Sequence, residues 1–118
     1  MRTESRVVMI TDMKGFTAAT SRQTREENAR MLALHDALLM PVITVFGGRR
    51  VKSIGDALLL LFQAPTAALL CAAAIQDRLA DHARRVVEGD RIEVRIALAM
   101  GEVRLDGGDV FGDQSKVV

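Results

Sequence analysis

The stretch VKSIGDALLLLF, residues 51–62, decides the fold. Its second half, Ala57 to Phe62, is apolar without a break, and a strand of that kind is normally buried on both faces. Gly55-Asp56 ahead of it reads as a tight turn, and RRVKSI (49–54) as the strand that enters the turn. A carboxylate, Asp56, thus stands at the mouth of a buried strand, four residues after Lys52. Either these charges form a local pair or they belong to a site.

Working outward from this hairpin, SRVVMITD (5–12) is a β-branched strand ending near Asp12. MKGFTAATS follows as a glycine turn running into a short helical segment. From Thr24 to about Phe46 the apolar residues Met31, Leu34, Leu38, Val42 and Val45 keep helical spacing. Thr24 with Glu27 forms the pattern of a capping box, Pro41 predicts a kink or break, and Gly47-Gly48 stops the helix. Beyond the hairpin, Pro65 suits the first turn of a helix to about Val87, with Ala68, Cys71, Ala72, Ile75 and Leu79 facing inward. EGDR is a turn, IEVRIALAM (92–100) a fourth strand, and GEVRLDGGDVFGD extended pieces around glycine turns.

Strand, helix, strand, strand, helix, strand is the split βαββαβ order of a ferredoxin-like α+β sandwich. It predicts an antiparallel sheet with spatial strand order four, one, three, two and the helices on one face. The end of the first strand then lies beside the start of the third, so Asp12 and Asp56 converge on one edge. Paired carboxylates at strand ends can hold hard divalent cations together with substrate phosphates. Lys14, Gly15, Phe16 and Thr17 directly follow Asp12, and a glycine turn of this kind offers backbone N–H groups to phosphate. Turn and cap roles account for the same aspartates equally well, and geometry alone leaves both readings open.

The bulk composition fits one domain spanning residues 1–118. Sixteen basic and 15 acidic residues leave a net charge of +1, which makes no electrostatic case for nucleic acid or an anionic membrane. Neither tryptophan nor tyrosine is present for stacking on bases. One cysteine excludes an internal disulfide and suits a reducing, cytoplasmic setting; within LLCAAAI it reads as a small core residue. No signal peptide or membrane-length apolar run is present, so this segment is expected not to insert into a bilayer. His35 and His82 have no partner at metal-ligand spacing and are expected at the surface or an interface.

ITDMKGFT, GGRRVKSIGDALLLLF, IALAMGEV and DVFGD together resemble the class III nucleotidyl cyclase catalytic domain, the adenylate and guanylate cyclase family, from Arg6 to Val118. That family is built on a ferredoxin-like core. The resemblance implies an adenylate cyclase, a phosphorus–oxygen lyase that converts ATP to cyclic AMP and pyrophosphate with two Mg²⁺ or Mn²⁺ ions. Asp12 and Asp56 match the catalytic, metal-binding aspartates, and the Met13 carbonyl a further metal ligand. Gly15, Phe16 and Thr17 match the phosphate-holding turn. Lys52 and Asp109 match the base-recognition positions, and a lysine donor with an aspartate acceptor suits adenine. The family's active sites form between two chains in a head-to-tail dimer, which implies a homodimer, with a regulatory domain or protein as a further partner.

Two positions depart from the family pattern. Lys116 stands where an asparagine orients the ribose, and the position of the arginine that stabilises α-phosphate charge lies beyond Val118, with the C-terminal portion of the family's domain. The alternative implied is a catalytically impaired homology domain that binds nucleotide or dimerises for regulation. A different two-metal enzyme on the same core, such as a diguanylate cyclase, is disfavoured because the hairpin reads SIGDA rather than GGDEF.

Overall fold

The computed structural model describes residues 2–106 and 109–112. In chain order the elements are β1 (Arg2–Met13), α1 (Phe16–Thr20), α2 (Arg25–Val45), β2 (Arg49–Ile54), β3 (Ala57–Phe62), α3 (Pro65–Ala83), a 3₁₀ turn (Glu88–Asp90), β4 (Val94–Asp106) and β5 (Asp109–Gly112). The strands pair antiparallel in the order β2-β3-β1-β4-β5. The first four strands follow the expected ferredoxin-like order. β4 runs past its expected end at Met100 because Gly101 stays in the ladder opposite Arg6, and the strand continues to Asp106 opposite the first residues of β1.

Period-two alternation decides which face is covered. Val7, Met9, Thr11 and Met13 of β1 are buried. The first three stand in register with Phe62, Leu60 and Leu58 of β3, and all four with Met100, Leu98, Ile96 and Val94 of β4. Leu38, Leu39 and Ile43 of α2 and Ala68, Cys71, Ile75 and Leu79 of α3 join the same apolar cluster, so both helices cover one face. Burying such side chains stabilises by about 1.5–3 kcal/mol each. On the helix-free face Ile10 remains 45 % exposed. The expectation that β3 is buried on both faces holds on the helix side, at Leu58, Leu60 and Phe62, but on the other face only Leu61 is buried while Ala57 and Leu59 are half-buried, because no helix covers that face.

The helix ends follow local chemistry. Thr24 Oγ1 accepts from the Glu27 N–H at 3.1 Å, and Glu27 Oε1 accepts from the Thr24 N–H at 3.0 Å, closing the capping box. At the other end the Gly47 N–H donates to Thr44 O at 3.0 Å and the Gly48 N–H to Ile43 O at 2.9 Å, with Gly47 at φ 79°, a complete Schellman motif. α2 runs through Pro41 without the expected break. Pro41 has no N–H for the Ala37 carbonyl, but both residues are exposed, so water can take that bond. α3 ends at Ala83 rather than near Val87: the chain tightens at Arg84 and Arg85 and turns so that Ile92 and Val94 can enter the core.

His35 is 1 % exposed, which corrects its expected place at the surface. It stands four residues from both Met31 and Leu39, on the apolar stripe of α2. Its Nδ1 lies 3.0 Å from Asp36 Oδ1, and Asp36 Oδ2 accepts from Arg50 Nη1 at 3.2 Å, tying α2 to β2.

Candidate active site

β1 ends where β3 begins. Thr11 pairs with Leu58, so Asp12 comes level with Ala57 and Asp56 lies one residue beyond it, in the turn. Gly55 has φ 58° and Asp56 a negative φ, the sign pattern of a type II′ hairpin turn. The turn aims the Asp56 carboxylate at the end of β1, where Oδ2 accepts a 2.6 Å hydrogen bond from the Met13 backbone N–H. The turn that carries Asp56 thus meets the end of β1 at Met13, the residue after Asp12.

Asp12 has a partner that the sequence reading did not single out. Arg95 stands directly opposite it on β4. The guanidinium grips the carboxylate in a fork, Nε to Oδ1 and Nη2 to Oδ2, both at 3.1 Å. The available signal was the strand-one to strand-four pairing of the ferredoxin-like order, combined with the two-residue alternation of VRIALAM.

The donor set suits a hard divalent cation. Asp12 and Asp56 offer oxygen only, and Asp12 is 41 % exposed at the sheet edge. Among the described residues no cluster of three or more histidines, cysteines or acidic residues could hold a metal by itself. Two carboxylates leave ligand positions open for water and phosphate oxygens, as magnesium-type sites with phosphate substrates require.

The Lys14–Gly15 turn adjoins this edge, and the Lys14 N–H donates to Glu93 O at 2.9 Å. Gly15 adopts φ 69°, with no atom within 4 Å of where a Cβ would stand, so open space lies beside the backbone. Phe16 packs against the core and anchors α1. Thr17 belongs to α1, and its side chain lies outside the described residues. Lys52 is exposed on β2, just after a bulge that follows Arg50, and pairs with Leu59. Asp109 opens β5 opposite Asp106. β5 also approaches β2, which brings the strand carrying Asp109 near the strand carrying Lys52. Lys116 lies outside the described residues. A cleft of about 260 Å³ lined by Glu27, Arg30, His82 and Arg91, among others, shares no residue with this edge.

Residues 1–115 match the family profile of the adenylate and guanylate cyclase catalytic domain. The chain belongs to this family. Cyclase domains of this class generally use divalent metal ions, in keeping with the carboxylate pair. A serine/threonine-protein kinase, pkn2 of Myxococcus xanthus, is 49 % identical over 100 % of this chain and 14 % of its own length. Adenylate cyclase type 10 of Rattus norvegicus is 31 % identical over 93 % of this chain and 8 % of its own length. The crystal structure of an adenylate/guanylate cyclase/hydrolase from Silicibacter pomeroyi superposes with a TM-score of 0.80 at 29 % identity, covering 99 % of this chain and 68 % of that one. The cyclase chain thus spans only a small part of the two curated relatives. No helix among the described residues is long and apolar enough to cross a membrane.

Proposed function

We propose that this cyclase domain forms cyclic AMP and pyrophosphate from ATP, at a site shared between two copies of the chain arranged head to tail. The observation that supports the reading is the meeting of the β2–β3 turn with the end of β1, where the Met13 N–H, next to Asp12, donates to Asp56 at 2.6 Å. Asp12, Asp56 and the Met13 carbonyl would hold two Mg²⁺ or Mn²⁺ ions. Bound there, the ions supply activation of the ribose 3′-hydroxyl and neutralisation of phosphate charge. The chain's own part is positional. The Gly15–Thr17 turn receives the triphosphate beside the carboxylates, with open space next to Gly15 for close approach. Lys52 donates to an adenine ring nitrogen and Asp109 accepts from the amino group, the pairing that favours adenine over guanine. We place the domain in the cytoplasm, as a single unit under a regulatory domain or protein. The test is product formation from ATP and from GTP with Mn²⁺: cyclic AMP is expected, while cyclic GMP alone, or no product, contradicts the reading.

A second reading is supported by two observations. By the family resemblance Lys116 falls at the asparagine position, and the 49 % identical relative bears the name of a protein kinase. In that reading the domain binds nucleotide or dimerises for regulation without turnover. Metal-dependent ATP binding by calorimetry, with no product, would select it.

A further inference from the structure

We propose that Arg95 occupies the Asp12 carboxylate as a stand-in for the cation, and that a divalent ion gains Asp12 only by displacing this guanidinium. The proposal rests on the reading of Asp12 as a metal ligand and concerns what controls that ligand. Both oxygens of Asp12 are engaged, Oδ1 by Nε and Oδ2 by Nη2 at 3.1 Å each. A cation approaching them meets a fixed positive charge at close range, in competition for the same oxygens. The pairing is built into the fold, because Asp12 and Arg95 are direct cross-strand partners on β1 and β4. It is also easily opened. Arg95 is 66 % and Asp12 41 % exposed, and ion pairs this exposed are weak. Asp56 differs in kind: among the described residues its hydrogen bond comes from the Met13 backbone N–H, a neutral donor. Of the two carboxylates, then, Asp12 carries a cationic partner that an incoming ion must displace, and Asp56 a neutral one. Arg95 is therefore a positioning residue that sets the cation affinity of the site.

The measurement is Mn²⁺ binding without nucleotide, read by the electron paramagnetic resonance of the free ion. Arg95→Ala should tighten binding on the order of fivefold, from the loss of competition and of repulsion. Arg95→Lys separates the two effects, since lysine keeps the charge and loses the fork. Displacement predicts that Arg95→Lys binds Mn²⁺ more tightly than wild type; equal affinity of Arg95→Lys and wild type overturns it. In the unsubstituted protein the Arg95 Nε–H resonance should move as Mg²⁺ is added, with the midpoint of metal binding, and a resonance that stays still overturns the proposal without any variant. Asp12→Asn isolates the underlying reading. If that change leaves Mn²⁺ affinity intact, Asp12 is no ligand and both ideas fall. If it abolishes binding while both Arg95 variants behave as wild type, only the displacement idea falls.

Discussion

Asp56 Oδ2 accepts a hydrogen bond of 2.6 Å from the backbone N–H of Met13, a residue 43 positions earlier in the chain. This one contact locks the β2–β3 turn to the end of β1. It also separates the structural work of Asp56 from its proposed chemistry. Asparagine at position 56 still presents an oxygen to the Met13 N–H but carries no charge. Asp56→Asn should therefore unfold near the wild-type temperature and lose cyclic AMP formation, by at least about 10²-fold. Asp56→Ala should lose activity and also about 1–3 kcal/mol of stability, because the Met13 N–H is left unpaired. Thermal melts and product assays on the two variants read both quantities.

The two glycines that end α2 are needed for different reasons. A Cβ on Gly48 would stand 2.6 Å from Phe62 Cζ and 2.7 Å from Ile43 Cγ2, in the heart of the core. Gly48→Ala should cost about 1–3 kcal/mol through overpacking, and Phe62→Leu in the same chain should return part of it. A Cβ on Gly47 would meet nothing within 4 Å, but its φ of 79° strains any L-residue. Gly47→Ala should cost about 1–2 kcal/mol, and Phe62→Leu should return none of it. Denaturant titration of the two pairs distinguishes clash from backbone strain.

The capping box ties stability to pH at a position away from the carboxylate pair. The Thr24 backbone N–H and hydroxyl hold the Glu27 carboxyl below its ordinary value of 4.5. A group whose pKa is depressed by folding stabilises above its unfolded pKa, and loses that contribution as pH falls through the folded pKa. Glu27→Gln should thus be less stable than wild type at neutral pH, with the difference shrinking as pH falls below 4.5. Thr24→Ala should lower stability by about 1 kcal/mol at neutral pH. Melting temperatures across pH check both.

Burial pushes the Cys71 thiol up to about 11. The thiolate is the reactive form, so iodoacetamide should leave the folded protein unlabelled at neutral pH and label it fully in denaturant. The stability sign follows from a raised pKa: the contribution is whole below the unfolded value of 9.0 and is lost as pH rises toward about 11. Cys71→Ala should remove that alkaline loss, which melts at rising pH would show.

Much of the fold was legible because strong local signals agreed with one topology. The uninterrupted ALLLLF, the Thr24–Glu27 cap and the Gly47-Gly48 stop each specify a boundary by themselves. The strand order put Asp12 and Asp56 at the same end of neighbouring strands, while their register, set by pattern and turn geometry, came from the structure. Three features needed tertiary information. His35 is polar in composition, yet the helical stripe carries it into the core, where Asp36 takes its Nδ1. Pro41 lies on the exposed side of α2, where water can take the bond that it cannot make, and the helix continues through it. Arg95 was hidden inside an alternating strand, and its meaning comes entirely from standing opposite Asp12. The family resemblance, rather than spacing, pointed to Lys52 and Asp109. What the structure adds there is the approach of β5 to β2.

The central claim is that one active site draws its carboxylates and its base-reading residues from two different copies of the chain. Mixing full-length Lys52→Ala protein with full-length Asp56→Ala protein tests it directly. Each variant alone has no complete site and should make no cyclic AMP. The mixture should recover about a quarter of the wild-type rate, because half of the dimers are mixed and each carries one intact site. A mixture as inactive as its two components would contradict the account.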